Sequence, residues 1–367
     1  MASNSFGQIF RITTFGESHG AGIGVIIDGC PSGIDLSIQE INESLAFRRP
    51  GQTIYTSTRA EPDLAEIFSG VFEGKTTGAP IAILIRNKDA DSSQYEAIKD
   101  LYRPGHANFT YLGKYGIFDH RGGGRSSARE TAARVAAGVV AKKVLAQAKI
   151  DCVAYISEIG SIEATESIPS HLNLLRKKIH SSPIFCPDLA ASKRIQEKLE
   201  EVRKANDSLG GIVACIAHLP SGLGDPVYAK LEAKLASAML SIPASKGFEI
   251  GCGFQSARML GSEHNDPFDL SEEGIIQTAT NNAGGTLGGI STGAPLYFRV
   301  AFKPTSSIKK AQQTVNRKGE RQLFQLPEIA RHDPCVAIRA VPVVEAMCAL
   351  VLADALLMNR VSVPSSK

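Results

Sequence analysis

At 367 residues, with 43% hydrophobic and 21% charged side chains and a mean hydropathy close to zero, the chain has the composition of a globular protein with a core of its own. This excludes a disordered tail or a fibrous repeat. A net charge of +3 is too small for wholesale nucleic-acid binding, so any positive charge that matters must be local.

The opening MASNSFGQIFRITTFGESHG has no apolar run of the signal-peptide kind. GVIID (24–28) reads as a strand. Ser37 and Glu40 form a capping box for a helix with Ile38, Ile41 and Leu45 on one face, ended by Pro50-Gly51. EIFSGVF (66–72) and IAILIR (81–86) are further strands. Ser127 and Glu130 suggest a second box ahead of ARETAARVAAGVVAKKVLAQ (128–147), whose alanines and valines on several sides predict a deeply packed helix. CVAYISEI (152–159) is a strand.

The stretch 160–208 is the most polar part of the chain and is expected to be a peripheral helical segment, with Ile195, Leu199 and Val202 as the stripe of a helix over 190–208. IVACIAHL (212–219) and PLYFRVAF (295–302) are strands, and Leu231, Leu235 and Ala238 mark a helix between them. VVEAMCALVLADALLM (343–358) is the most lipid-like run, but it is short and carries Glu345 and Asp354, so it reads as a buried helix and no membrane is expected. Without a linker or a repeat, one α+β domain over 1–367 is expected. Seven cysteines with no CxxC pair point to a reducing, cytoplasmic location and away from a disulfide framework.

Glycines cluster in FGESHGAGIG (15–24), RRPGQ (48–52), RPGHA (103–107), HRGGGRSSARE (120–130) and NNAGGTLGGISTG (281–293). A residue without a Cβ lets backbone approach a ligand closely. HRGGGRSSARE matches neither a Walker loop nor GxGxxG. Even so, Ser126, Ser127 and the free amides at a helix start, flanked by Arg125 and Arg129, predict an anion site. His19 and His106 lie in glycine-bounded loops and suit proton transfer, and with no HxxxH or HExxH no metal site is read. Arg48, Arg49, Arg103, Arg121 and Arg331, with KPTSS (303–307) and RHDPC (331–335), would repel one another unless they share a ligand. The residues alone lead to an enzyme acting on a small polyanion. Aromatics at 6% and the absence of tryptophan speak against a nucleic-acid partner.

As a set, GQIFRITTFGESHG (7–20), RRPGQ (48–52), SGVFEGKTTGAPI (69–81), RPGHANFTY (103–111), DHRGGGRSSARETAARVAAG (119–138), AGGTLGGISTG (283–293), FKPTSSI (302–308) and RHDPCVAIRAVPVVEAM (331–347) resemble the chorismate synthase family along nearly the whole chain. The resemblance implies a β-α-β sandwich of two antiparallel sheets flanked by helices, a homotetramer, and 1,4-anti elimination of phosphate from 5-enolpyruvylshikimate-3-phosphate with reduced FMN. It implies cofactor contacts from Arg125, Ser126, Ser127, Gly288, Lys303, Pro304, Thr305, Ser306, Ser307 and Arg331. It makes His19 and His106 the proton-handling pair, sets Asp333 with Ser127 in a relay toward the flavin, and gives Arg48, Arg49 and Arg129 to substrate or NADP. Ile54 stands where relatives often carry an arginine, which points to an external flavin reductase with NADPH as an indirect reductant. Pro243 replaces an asparagine of some relatives.

Overall fold

A computed structural model of the chain describes residues 3–51, 53–56, 61–89, 93–165, 169, 171–326 and 333–362. Strands β1 (Ser5–Phe6), β2 (Arg11–Gly16) and β3 (Gly22–Asp28) are followed by helix α1 (Ile38–Arg48), β4 (Ala65–Ser69) and β5 (Ile81–Arg86). These strands form one antiparallel sheet of order β1-β2-β3-β5-β4. Helices α2 (Asn108–Tyr115) and α3 (Thr131–Ala146) lead to β6 (Asp151–Ile159), β7 (Ile162–Glu163), α4 (Leu172–Ser181), α5 (Leu189–Lys204), β8 (Gly211–His218), α6 (Leu231–Leu240), β9 (Ser245–Ile250) and β10 (Leu296–Phe302). The second sheet, also antiparallel, has the order β9-β10-β8-β6-β7. Helix α7 (Val336–Ser362) follows.

The helices divide between two places. Helix α3 packs on β3 and β5, α7 packs on β6 and β8, and the two helices pack on each other, filling the layer between the sheets. This is the expected β-α-β sandwich. The outer face of the second sheet is covered by α4, whose Leu172, Leu175 and Ile179 meet Val153, Tyr155, Ala214 and Ile216. With both faces covered, β6 buries the unbroken run 152–156 and β8 the run 213–217, whereas β3 alternates: Ile23, Val25 and Ile27 are buried and Ile26 is exposed.

Helix α3 is packed as its composition predicts, with twelve of sixteen residues buried. Close approach to α7 depends on Gly138, where a Cβ would fall 2.5 Å from the Cβ of Ala346. Helix α7 is long and apolar enough to cross a membrane by length and composition alone, yet 78% of its most apolar window is buried inside the protein. Its two acidic residues have internal partners. Glu345 pairs with Lys142 and accepts from the Ala154 amide at 2.9 Å. Asp354 accepts from the amides of Gln8 (3.0 Å), Ile9 (2.8 Å) and Phe10 (3.0 Å), pinning the start of the chain to its last helix.

The Ser37–Glu40 capping box forms. The Ser127–Glu130 box does not. Ser127 Oγ instead accepts from the Arg129 amide at 3.4 Å within a 3-10 turn, Ala128–Glu130, and α3 begins at Thr131. The tight turn leaves no α-helical N3 position for Glu130, which pairs with Arg134. The segment 160–208 holds α4 and α5 at the periphery, and α5 buries Ala191, Ile195 and Leu199.

Candidate active site

A cleft of about 1830 Å³ is lined by α2, the turn of residues 119–128, residues 241–244 after α6 and the 303–307 loop after β10. Single-ligand pockets are typically ~300–1,000 Å³, so two molecules have room side by side. Among the described residues, seven basic side chains against three acidic ones line it, which favours anions.

The triglycine turn organises the site. Gly122 has φ +72°, and a Cβ there would fall 2.2 Å from Cε1 and 2.5 Å from Nδ1 of His19. A Cβ on Gly123, at φ +94°, would fall 3.1 Å from Cε1 of His106. Two histidines 87 positions apart in sequence therefore lean on neighbouring residues, whose Cα atoms are ~3.8 Å apart. His19 Nδ1 lies 3.1 Å from Ser18 Oγ, and the ring meets Tyr95 edge-on at 5.5 Å.

His106 is held neutral. Burial, with Arg103 and Lys303 adding to it, pushes its pKa down to about 3. Among the described residues its buried Nδ1 has no hydrogen-bond partner, nor has Thr305 Oγ1 on the facing loop. Lys303 Nζ donates to Gly105 O (2.6 Å) and Ser306 Oγ (2.9 Å), and Arg103 Nη2 donates to Ser307 Oγ at 2.8 Å. These bonds tie the RPGH loop to the KPTSS loop.

Of the expected residues, His106, Arg125, Ser126, Ser127, Lys303, Pro304, Thr305, Ser306 and Ser307 line the cleft, and His19 abuts it through Gly122. The Arg125 guanidinium turns back to β2, donating to Gly16 O (3.1 Å) and Thr14 Oγ1 (2.7 Å).

Arg48 and Arg129 do not face the cleft, contrary to expectation. Both are buried, 2% and 4% exposed, and both clasp Asp63. Arg48 also donates to Ala128 O (2.6 Å) and Thr131 Oγ1 (3.2 Å). Arg129 also donates to Asn87 Oδ1 (2.9 Å) and Arg86 O (3.4 Å). Internal acceptors thus engage both guanidiniums. Burial, with Arg339 and Arg129 nearby, lowers Arg48 to about 9, still cationic at neutral pH.

Arg49 caps α1 and does not line the cleft. Asp333 accepts from Arg339 at 2.9 Å and is likewise outside the lining, while Arg339 Nε donates to Arg48 O at 3.2 Å. Gly288 is remote from the cleft: it lies at the turn of a short hairpin pairing Thr286–Leu287 with Ile290–Ser291, and Leu231 N donates to neighbouring Gly289 O (2.9 Å), so this hairpin sits at the N-terminal end of α6. The opposite end of that ten-residue helix, next to Ser241, lines the cleft, ~15 Å away along the axis. Arg331 lies outside the described residues.

The aromatic wall of Tyr95, Tyr111, Tyr115 and Phe118 was not anticipated, nor were Arg134 and Lys246. The near-helical spacing of Tyr111, Tyr115 and Phe118 was the available signal.

The chorismate synthase family model matches residues 10–357. The chain is 59% identical over 364 residues to the chorismate synthase of Protochlamydia amoebophila (strain UWE25), covering 98% of this chain and 99% of the relative. It is 53% identical to that of Porphyromonas gingivalis (strain ATCC BAA-308 / W83), covering 97% and 96% respectively. A crystal structure of a chorismate synthase superposes with a TM-score of 0.75 at 34% identity, covering 96% of this chain and 93% of that one.

Proposed function

The chain belongs to the chorismate synthase family, and from that premise we propose which of its residues carry the reaction. The reaction itself follows from the family: a lyase converts 5-enolpyruvylshikimate-3-phosphate to chorismate by FMN-dependent anti elimination in the shikimate pathway. The C3–O bond breaks, phosphate departs with the electron pair, and a C6 proton is lost as the new double bond forms. Reduced FMN, when bound, supplies electron density to the allylic system and recovers it, so there is no net redox change.

The cleft fits that cofactor. It has room for a flavin beside a substituted ring, a net positive lining, an aromatic wall and a Thr305 hydroxyl without a partner among the described residues. Arg125, Ser126, Ser127 and the 303–307 loop would hold it.

The observation that carries the assignment is the neutral His106, whose buried Nδ1 has no partner among the described residues and whose pKa is lowered further by Arg103 and Lys303. A substrate phosphate set against those two cations offsets them and raises the imidazole toward the range where it can deliver a proton to the leaving oxygen. His19, packed against the neighbouring glycine, is the second proton-handling group of the site. Arg103 and Lys303 meet the phosphate, and Arg48 and Arg129 support the turn from behind.

A homotetramer is supported by the outer face of the first sheet, which leaves Phe15, Ile26 and Phe68 exposed, and by Gly288, which needs another subunit to reach a cofactor. An external flavin reductase, with NADPH as indirect reductant, is supported by Ile54, which is exposed and carries no cation. Seven free thiols, six of them buried, support a reducing, cytoplasmic setting.

The test is anaerobic turnover of the enolpyruvyl substrate with chemically reduced FMN, following phosphate release and chorismate absorbance together. His106→Ala is expected to lower kcat by ~10²–10⁴-fold. A rate equal to wild type removes His106 from the mechanism.

A further inference from the structure

The loop that carries His19, residues 17–21, links β2 to β3 and needs something to hold its shape. Strand register supplies a neighbour: Gly22 pairs with Arg86, so Asn87 stands beside the loop, and its amide donates to Ala21 O at 3.2 Å. Its side chain then spans the loop. Asn87 Nδ2 donates to Glu17 O at 2.8 Å and to Gly20 O at 2.9 Å, bracketing His19. Asn87 Oδ1 faces the other way and accepts from Arg129 Nε at 2.9 Å.

This environment fixes the orientation of the amide. A guanidinium only donates and carbonyls only accept, so oxygen must face Arg129 and nitrogen the loop. Arg129 is immobilised in turn by Asp63, which Arg48 also grips, and Glu61 lies 3.9 Å from its guanidinium.

We propose that Asn87 is a positioning residue for His19: it transmits the rigidity of the buried Arg129–Asp63–Arg48 cluster to the loop that aims the imidazole. The inference rests on the reading of His19 as a proton-handling group. Among small polar side chains, an amide is the one that offers an acceptor to a cation on one side and two donors to carbonyls on the other. A carboxylate could keep Arg129 but would repel both carbonyls, and an aliphatic side chain would serve neither.

The experiment is Asn87→Asp, with Asn87→Ala as a second variant should the first fail to fold, each made alone and in a His19→Ala background. Steady-state turnover with reduced FMN is measured together with thermal unfolding. Asn87→Asp is expected to lower kcat on the order of 10- to 100-fold, the scale of an ångström-sized misplacement. KM for the enolpyruvyl substrate should stay within about twofold and Tm close to wild type, because the Arg129 contact survives. In the His19→Ala background the same change should have little further effect, since a group that acts through His19 has nothing left to aim.

Wild-type kcat in Asn87→Asp with an impaired His19→Ala overturns the positioning role and leaves the reading of His19 intact. Equal losses in both backgrounds also overturn it, by showing that Asn87 acts elsewhere. Full activity in His19→Ala overturns both.

Discussion

Gly122→Ala separates the two demands the triglycine turn meets, backbone conformation and room for an imidazole. At φ +72° an alanine pays a strain of ~1–2 kcal/mol, whatever surrounds it. Its Cβ would also land 2.2 Å from His19 Cε1. Restoring a van der Waals separation of ~3.5 Å requires relative movement of ~1.3 Å, and a displacement of about 1 Å at a reacting group can cost ~100-fold in rate.

Gly33 provides the control. It has φ +82° and no described residue within 4 Å of an added Cβ, so Gly33→Ala carries the conformational cost alone. Gly33→Ala should lose ~1–2 kcal/mol in urea unfolding and Gly122→Ala at least as much, while only Gly122→Ala should lose kcat, on the order of 100-fold, in anaerobic turnover. If Gly122→Ala turns over within threefold of Gly33→Ala, the close packing of His19 on this turn is not what the chemistry uses.

Three further outcomes are expected. By NMR the His106 imidazole should titrate near pH 3 in the ligand-free protein, and inorganic phosphate should raise that midpoint; a midpoint near 6.5 without phosphate contradicts the environment described. Because the folded pKa is depressed, the unfolded chain binds the proton more readily, so this contribution to stability is present above about pH 6.5 and is lost as pH falls toward 3. Asp63→Asn should destabilise the protein by ~3–5 kcal/mol in urea titration, since it strips the shared carboxylate from two buried guanidiniums; a loss under ~1 kcal/mol would show that the pair is held by its carbonyl contacts instead. Gly138→Ala should cost ~1–3 kcal/mol by forcing α3 off α7, and adding Ala346→Gly should return part of it.

The elements were legible where one face of a strand or helix is buried and the pattern is strong. IAILIR and the alanine-rich run over 128–147 show this. Strand β2, RITTFG, escaped because its two threonines and terminal glycine blur the alternation.

The site motifs marked their location well and the direction of their side chains poorly. Arg129 is two positions from Ser127, yet a 3-10 turn sends its guanidinium to the buried side while Ser127 lines the cleft. The carboxylate that claims it, Asp63, lies 66 positions away, and nothing local announces a pairing made by folding. Glycine content told where backbone comes close; which imidazole it would meet depends on how the 17–21 and 103–107 loops fold against it.

The clasp between Asp354 and the amides of residues 8–10 has a consequence for biosynthesis. These groups are up to 346 positions apart, so residues 8–10 wait for residue 354 to be made before their amides find their acceptor. At ~5–20 residues per second that wait is on the order of 20–70 s. Throughout it, the leading hairpin and the histidine it carries stand on an unfinished foundation. A nascent chain stalled between residues 336 and 354 would hold the cleft's lining and still lack the anchor beneath the 8–10 segment.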